Sequence, residues 1–372
     1  MPGPPRVVVV TDRSGDRLPP GAAEDVARGW ARTAPHVRVE AHAGHDGGAG
    51  FGELVAERCG TDAATHPVVV PGPTGRPVPA VITLVRRDGT SGATAYLDTA
   101  QIAGRHLADP GLLADPGELS SAGVGRALLL ARELGAQRVV VGVGPLACHD
   151  GGAGLLRALG AGDDLADLPA VRRDWADTQL VVASTTEASL LGFHGASATL
   201  AEHGVDPQVT QRLESRLGEL TDRVNALLPP QRDLLTGLPR RPERVAGAGA
   251  GGGVGYAVQL LGARTDTGAR FLLDELGIRD RLPGALLVLV TDVYDYTSVH
   301  EGVVADTARA ALDVAAPTVV LGREVSVGRR EGMSLGVSGS YAPRGTEDLA
   351  DLAARVARTW TPPPPPPPHA PR

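Results

Sequence analysis

Residues 139–160 read VVVGVGPLACHDGGAGLLRALG, and this stretch decides the fold of the chain. Residues 139–143 form a short apolar run rich in β-branched side chains, which is typical of a strand buried on both faces. Leu155, Leu156 and Leu159 repeat at helical spacing. A glycine-rich turn with a His-Asp pair lies between them, so the stretch predicts a strand, a tight loop and a helix.

The glycines of this turn would allow backbone N–H groups to approach an anionic ligand. Glycine adopts positive φ without strain and lacks a Cβ atom, and the N-terminus of a helix attracts negative charge. Tight packing of the helix on the strand explains the same glycines as well. The turn fits neither the P-loop nor the G-x-G-x-x-G pattern of dinucleotide-binding proteins. The candidate ligand-binding residues are Gly142, Gly144, Gly151, Gly152 and Gly154.

The composition is that of an ordinary soluble enzyme. The 372 residues, of which 42% are hydrophobic, suffice for two domains. A net charge of −7 argues against a nucleic-acid partner. No signal peptide or membrane-length apolar segment is recognisable, so we expect a cytoplasmic protein without a membrane partner. Cys59 and Cys148 have no paired spacing, which argues against a disulfide framework or a zinc site.

The chain contains no lysine, because all 36 basic residues are arginine. A GC-rich genome explains most of this bias, since the same bias favours alanine, glycine, proline and valine. Whatever the cause, any contact with a phosphate must be made by arginine or by backbone N–H groups.

The segment HDGGAGLLRALG at 149–160, with VGVGPLA before it, resembles the signature of the type 1 bacterial glycerate kinases. In that family a glycine pair and Ser-Ala-Thr-Asn precede D-G-G-A-G-x-x-x-A-L-G. The segments HDGGAG at 45–50 and AGAGAGGGVG at 246–255 resemble two further family motifs, and they occur in the family's order. The resemblance covers nearly the whole chain.

Short buried strands that alternate with helices predict an α/β protein with mostly parallel sheets. Apolar runs at 286–290 and 317–321 predict the last two strands, and we expect a loop at 322–339. The resemblance implies two α/β domains, one inserted into the other, with the active-site cleft between them. The predicted parts are an outer domain of residues 1–73 and 241–360, an inserted domain of residues 74–240 and a disordered proline-rich tail at 361–372.

The resemblance also implies a reaction, namely transfer of a phosphoryl group from ATP, with Mg²⁺, to the small-molecule substrate D-glycerate. Phosphoryl transfer needs positioning and charge neutralisation, so carboxylates at strand ends and glycine loops are the candidate residues. The candidates for catalysis are Asp12, Asp46, Asp150 and Asp292, and those for Mg²⁺ are Asp150 and Asp295. Further candidates for nucleotide binding are Gly247, Gly249, Gly251, Gly252 and Gly253.

The chain departs from the family pattern mainly at polar positions, whereas the glycines and small apolar residues are kept. Lost lysine, glutamate, threonine or aspartate positions are occupied here by Gly15, Ala49, Phe51, Arg126, Thr185, Val209 and Val303. This favours, as an alternative, a catalytically impaired member that acts as a small-molecule-binding or regulatory protein. We therefore expect slow turnover or none. A dinucleotide oxidoreductase is disfavoured because no G-x-G-x-x-G follows a strand.

Overall fold

The computed structural model describes residues 5–13, 21–86, 92–229, 237, 239 and 241–361. Gly15 and all of the predicted tail after Thr361 lie outside the described residues. The chain divides into two compact units. The first unit comprises Met1–His45 and Leu272–Arg372, and the second, Asp46–Phe271, is inserted in its sequence.

Most of the strands form where the sequence has short apolar or β-branched runs bounded by turn residues. They are β1 (Arg6–Asp12), β2 (Arg38–Gly44), β3 (Ala63–Pro71), β4 (Pro77–Val85), β5 (Ala93–Asp98), β6 (Ala136–Val143), β7 (Gln179–Ser184), β8 (Arg264–Thr267), β9 (Ala285–Tyr294), β10 (Thr318–Val325) and β11 (Val337–Tyr341).

The helices connect these strands and present apolar residues to the sheets at helical spacing. They are α1 (Ala22–Thr33), α2 (Phe51–Cys59), α3 (Ala100–Ala103), α4 (Pro110–Leu113), α5 (Ala122–Glu133), α6 (Ala153–Ala158), α7 (Leu168–Asp174), α8 (Ala196–Glu202), α9 (Pro207–Leu227), α10 (Ala250–Leu260), α11 (Gly268–Glu275), α12 (Tyr296–His300), α13 (Gly302–Asp313), α14 (Arg329–Ser334) and α15 (Leu349–Trp360). Among the described segments, no helix has the length and apolar character needed to cross a membrane.

The first unit is built on a parallel sheet of five strands in the order β11-β10-β9-β1-β2. The chain runs from β1 outward to β2 and later from β9 outward to β11. The carboxyl ends of β1 and β9 therefore flank the point at which the strand order reverses, where open α/β sheets bind ligands. One core of this unit packs α1 and α15 on the sheet around Trp30, which is fully buried.

The second unit has a six-stranded sheet in the order β3-β4-β5-β6-β7-β8. Strands β3 and β4 form an antiparallel hairpin, β4 pairs antiparallel with β5, and β5 to β8 are parallel. The helices α5, α6 and α10 contribute to a large apolar core around β6 and β7.

The prediction of an α/β protein with two mostly parallel sheets is confirmed. The predicted inserted segment, residues 74–240, falls wholly within the second unit, but its ends differ from the ends of that unit. The reason is strand pairing. Strand β3 pairs with β4, and β8 pairs with β7, so the segments just outside 74–240 complete the second sheet.

Candidate functional site

The carboxyl ends of the parallel strands in the second unit lie at one edge of its sheet. Strands β5, β6 and β7 end at Asp98, Val143 and Ser184. Ligands of open α/β sheets bind outside such an edge. The loops that follow these strands therefore define the candidate site of this unit.

The loop at residues 46–50 packs against the end of β6. A Cβ atom added to Gly142 would lie 2.7 Å from the carbonyl oxygen of Gly47. One added to Gly144 would lie 3.0 Å from the Cα atom of Gly48. Glycine is therefore used here for close contact between two backbones, because any side chain would separate them.

Two carboxylates shape this loop. Asp46 accepts a hydrogen bond from the Gly48 N–H at 2.9 Å. Asp98 is 3% exposed and accepts from the N–H groups of Gly50, at 2.9 Å, and Ala100, at 3.0 Å. Asp46 thus folds its own loop, and Asp98 fixes the chain at the start of α2. The catalytic role of Asp46 stays a prediction.

The two glycine-rich loops, 142–154 and 247–255, are in direct contact. The N–H of Gly151 donates to the carbonyl of Gly252 at 3.0 Å. A Cβ atom on Gly253 would lie only 2.4 Å from the Cα atom of Gly151. Both loops belong to the second unit, so the 247–255 loop does not lie in the outer domain where the sequence placed it.

Several backbone N–H groups that the sequence analysis predicted to bind the nucleotide donate hydrogen bonds within the protein. Those of Gly152 and Gly154 donate to Asp150, each at 3.0 Å. That of Gly249 donates to the carbonyl of Ala188 at 2.9 Å. These bonds would have to break before the same groups could bind a phosphate. The cofactor-binding role of these glycines stays a prediction.

The remaining glycines of the second loop are also tightly enclosed. A Cβ atom on Gly247 would lie 2.6 Å from the Thr265 side chain, and one on Gly251 would lie 2.7 Å from the Leu146 side chain. The loop is therefore a packed element of the core and not an extended linker.

The carboxylate of Asp150 accepts four hydrogen bonds. Its Oδ2 atom accepts from the N–H and the hydroxyl of Ser121, each at 2.9 Å, and from the Gly154 N–H at 3.0 Å. Its Oδ1 atom accepts from the Gly152 N–H at 3.0 Å. Each carboxylate oxygen has about two acceptor sites, so Oδ2 of Asp150 is fully used by its surroundings whereas Oδ1 keeps one site. Its geometry is that of a residue that joins the starts of α5 and α6.

His149 is a buried neutral imidazole beside Asp150. It is 5% exposed, and its Nε2 atom lies 3.0 Å from the hydroxyl oxygen of Ser197. Burial lowers the pKa of His149 to about 4, because the charged form would lose its hydration. The ring is therefore uncharged at neutral pH.

We expect His149 to make the second unit sensitive to acid. Its pKa is about 4 when folded against an ordinary 6.5, so the unfolded chain binds the proton more readily. The contribution of neutral His149 to the free energy of unfolding is complete above pH 6.5, the ordinary pKa. It is lost as the pH falls toward about 4, the pKa in the folded protein. At pH 4.5 the loss amounts to about 2 kcal/mol. Urea unfolding of the wild type and His149→Asn at pH 7 and pH 4.5 measures it. If acid lowers the free energy of unfolding equally in the wild type and in His149→Asn, His149 is not the cause of the acid sensitivity.

In the first unit, the two carboxylates predicted for catalysis lie near the carboxyl ends of adjacent strands, Asp12 as the last residue of β1 and Asp292 two residues before the end of β9. Thr11 of β1 is in register with Val290 of β9, so Asp12 and Asp292 follow at the same edge of the sheet. Asp292 forms an ion pair with Arg323. The two residues are thus near the reversal point of the strand order, but this register places their side chains on opposite faces of the sheet.

Asp295 caps α12. Its Oδ1 atom accepts from the N–H of Ser298 at 3.0 Å and from the Ser298 hydroxyl at 2.9 Å. The Ser298 N–H is the main reason why the pKa of Asp295 is lowered. Among the described residues, no group of three or more His, Cys, Asp or Glu side chains could hold a metal ion.

Comparison with known proteins agrees with this fold. The model of the glycerate kinase family matches residues 7–358. Over 365 residues the chain is 33% identical to an uncharacterized protein of Mycobacterium tuberculosis. The alignment covers 94% of this chain and 88% of the relative. The chain is 26% identical to the glycerate 2-kinase of Escherichia coli, and this alignment covers 84% of each chain.

A solved structure shows the same fold. It is the crystal structure of a presumed glycerate kinase 2 from Salmonella typhimurium LT2, with a TM-score of 0.74 and 21% sequence identity. The alignment covers 96% of this chain and 98% of that chain.

Proposed function

Because this chain belongs to the glycerate kinase family, we propose that it transfers the γ-phosphoryl group of ATP to a hydroxyl group of D-glycerate. The observation that carries the proposal is the family match over residues 7–358, which spans both units. Relatives named glycerate kinase in Escherichia coli and Bacillus subtilis align with more than four-fifths of the chain.

In this chain only arginine side chains and backbone N–H groups could contact and neutralise the phosphate oxygens, because lysine is absent. Phosphoryl transfer depends on positioning and on neutralising the phosphate oxygens. The N–H groups of Gly151, Gly152, Gly154 and Gly249 do not fit this task as they stand, because each donates within the protein. We therefore derive no step through these glycines.

Magnesium in kinases needs only one or two protein carboxylates, because the phosphates supply further oxygens. Of the two predicted ligands, Asp150 accepts three hydrogen bonds through Oδ2 and one through Oδ1, so Oδ1 is its more available oxygen. Asp295 accepts its bonds from Ser298 through Oδ1, so Oδ2 is the oxygen that would hold Mg²⁺. When bound, the ion would neutralise charge on the nucleotide phosphates.

One observation favours the alternative, a family member that binds small molecules but turns over poorly. Phe51 stands at a threonine position of the family motif and is fully buried. Its ring lies 6.0 Å from that of Tyr96 and 6.4 Å from that of Phe271. The polar group of the family is thus replaced by apolar packing, which preserves the fold but supplies no chemistry.

Thr185 provides the test between these two functions. It follows β7, and its N–H donates to the carbonyl of Val143 at 3.0 Å, so its position at the sheet edge is fixed. The family carries an aspartate here, whereas a neutral hydroxyl binds a divalent cation weakly. We expect slow wild-type turnover and a higher rate in Thr185→Asp. The gain will be limited, because groups that act as a unit are not additive.

The measurement is the initial rate of phosphoglycerate formation from ATP and D-glycerate, with the product identified by phosphorus NMR. The matched control is Thr178→Asp, since Thr178 lies just before the amino end of the same strand. A wild-type turnover within the usual kinase range of about 1–100 per second would show that the aspartate is dispensable. Equal rates in both variants would also contradict the expectation.

A further inference from the structure

A pocket of about 260 Å³ lies in the second unit beside Asp150. Its volume is just below the ~300 Å³ at which pockets for drug-sized ligands begin, so it would enclose a small acid but not a whole nucleotide. Its lining is mainly polar, and its polar groups come from three segments of the chain. The lining residues are Gly117, Glu118, Leu119, Ser120, His149, Asp150, Ala153, Arg157, Arg216, Leu217, Glu219, Leu220 and Arg223.

His149 presents a hydrogen-bond donor to this pocket. The hydroxyl of Ser197 is 2% exposed, and its described bond is the one to Nε2 of His149, at 3.0 Å. A buried hydroxyl must donate its proton, so Nε2 is the acceptor and Nδ1 carries the ring proton. Nδ1 has no hydrogen-bond partner among the described residues. It is not among their fully buried side-chain atoms that lack a partner, so it is accessible. Because His149 lines the pocket, Nδ1 faces it.

Ser120 adds a second donor. Its hydroxyl oxygen accepts from the N–H of Ala122 at 3.1 Å, which leaves the O–H proton to be donated. Asp150, by contrast, offers the pocket one acceptor at most, because Oδ2 already accepts three hydrogen bonds and Oδ1 accepts one.

Arginines supply the charge. Arg216 is paired with Glu118 at 3.1 Å. Arg157 donates from Nε to the carbonyl of Asp163 at 3.1 Å. The two terminal nitrogens of Arg157 have no hydrogen-bond or ion-pair partner within the described part of the chain. The same holds for all three guanidinium nitrogens of Arg223. The lining also holds three acids, Glu118, Asp150 and Glu219, so its formal charges balance. What the pocket offers a carboxylate is therefore the free N–H groups of Arg157 and Arg223 and not a net positive charge.

We propose that this pocket binds a small hydroxy acid through its carboxylate, with Ser120, His149, Arg157 and Arg223 as donors. The naming of D-glycerate as that acid rests on the proposed function. Arg157 and Arg223 meet the carboxylate, and the uncharged ring of His149 donates without adding charge. An inorganic phosphate shares the anionic chemistry, so the test must separate the two.

The test is isothermal titration of the full chain with D-glycerate, inorganic phosphate and ATP in turn. The variant is Arg157→Gln with Arg223→Gln. The matched control is Arg172→Gln with Arg173→Gln on α7, which makes the same change of charge in the same unit away from the pocket lining. We expect the dissociation constant for D-glycerate to rise at least about tenfold in the variant and less than about twofold in the control. Thermal unfolding of both variants shows whether they are folded.

Three results would overturn the proposal: no binding of D-glycerate to the wild type, equal losses in variant and control, or binding of phosphate but not of D-glycerate at Arg157 and Arg223. The proposed function fails separately. D-glycerate binding that depends on the two arginines, without phosphoryl transfer, would retain the pocket and reject the kinase. Phosphoryl transfer with an unchanged KM for D-glycerate in the variant would retain the kinase and reject the pocket.

Discussion

Replacement of Gly253 by alanine is expected to lower the free energy of unfolding of the second unit by about 3 kcal/mol or more. Two effects add. The residue has φ +102°, a conformation that an L side chain rarely adopts. In addition, the new Cβ atom would lie 2.4 Å from the Cα atom of Gly151, and a backbone atom cannot move aside as a flexible side chain does. The two glycine loops would be forced apart. Urea unfolding followed by circular dichroism measures the change.

Gly262→Ala is the matched control. Gly262 also has φ +102° and lies in the same unit, but nothing is within 4 Å of an added Cβ atom. This variant therefore reports backbone strain alone, and we expect it to be less destabilised than Gly253→Ala by about 2 kcal/mol. Equal losses in the two variants would show that contact between the loops contributes nothing measurable.

Replacement of Asp150 by asparagine is expected to destabilise the second unit by about 2–3 kcal/mol. The amide removes the negative charge from four hydrogen bonds. It also places an NH₂ group against at least one N–H donor, because both carboxylate oxygens are acceptors here. The most favourable orientation keeps oxygen toward Ser121 and Gly154 and leaves the Gly152 N–H unpaired.

Asp164→Asn is the control for this change. Asp164 is exposed and accepts one hydrogen bond, from the Ala166 N–H at 3.0 Å, so we expect a loss of less than about 1 kcal/mol. Thermal unfolding and D-glycerate titration of both variants separate structure from binding. If Asp150→Asn keeps wild-type stability but loses activity, Asp150 acts on substrate or metal and its bonds within the loop are secondary.

Much of the fold could be predicted because buried parallel strands have continuous apolar sequences. The runs at 139–143 and 286–290 lie within β6 and β9. Strands β8 and β11 were missed because RTDT and VSGSY are largely polar. Both are edge strands, which need few apolar residues because one side lacks a neighbouring strand. The predicted loop at 322–339 is wrong, since this range contains the end of β10, the helix α14 and the start of β11.

The candidate site was harder to predict, because its groups come from distant parts of the sequence. Glycine spacing correctly placed the turn after β6, but it could not show that Gly151 bonds to Gly252, far away in the chain. The Asp150 carboxylate likewise receives bonds from Ser121, which lies 29 residues earlier in the chain. Arg223 on α9 carried no signal, since an exposed arginine on an amphipathic helix is ordinary.

The central claim is phosphoryl transfer from ATP to D-glycerate, and a coupled assay of ADP release tests it most directly. Wild-type protein, Mg²⁺ and ATP are incubated with increasing D-glycerate, and the ATP hydrolysis measured without D-glycerate is subtracted. We predict ADP release that saturates with D-glycerate at a rate below about 1 per second, under the usual kinase range. ADP release that does not depend on D-glycerate at any concentration would contradict the claim.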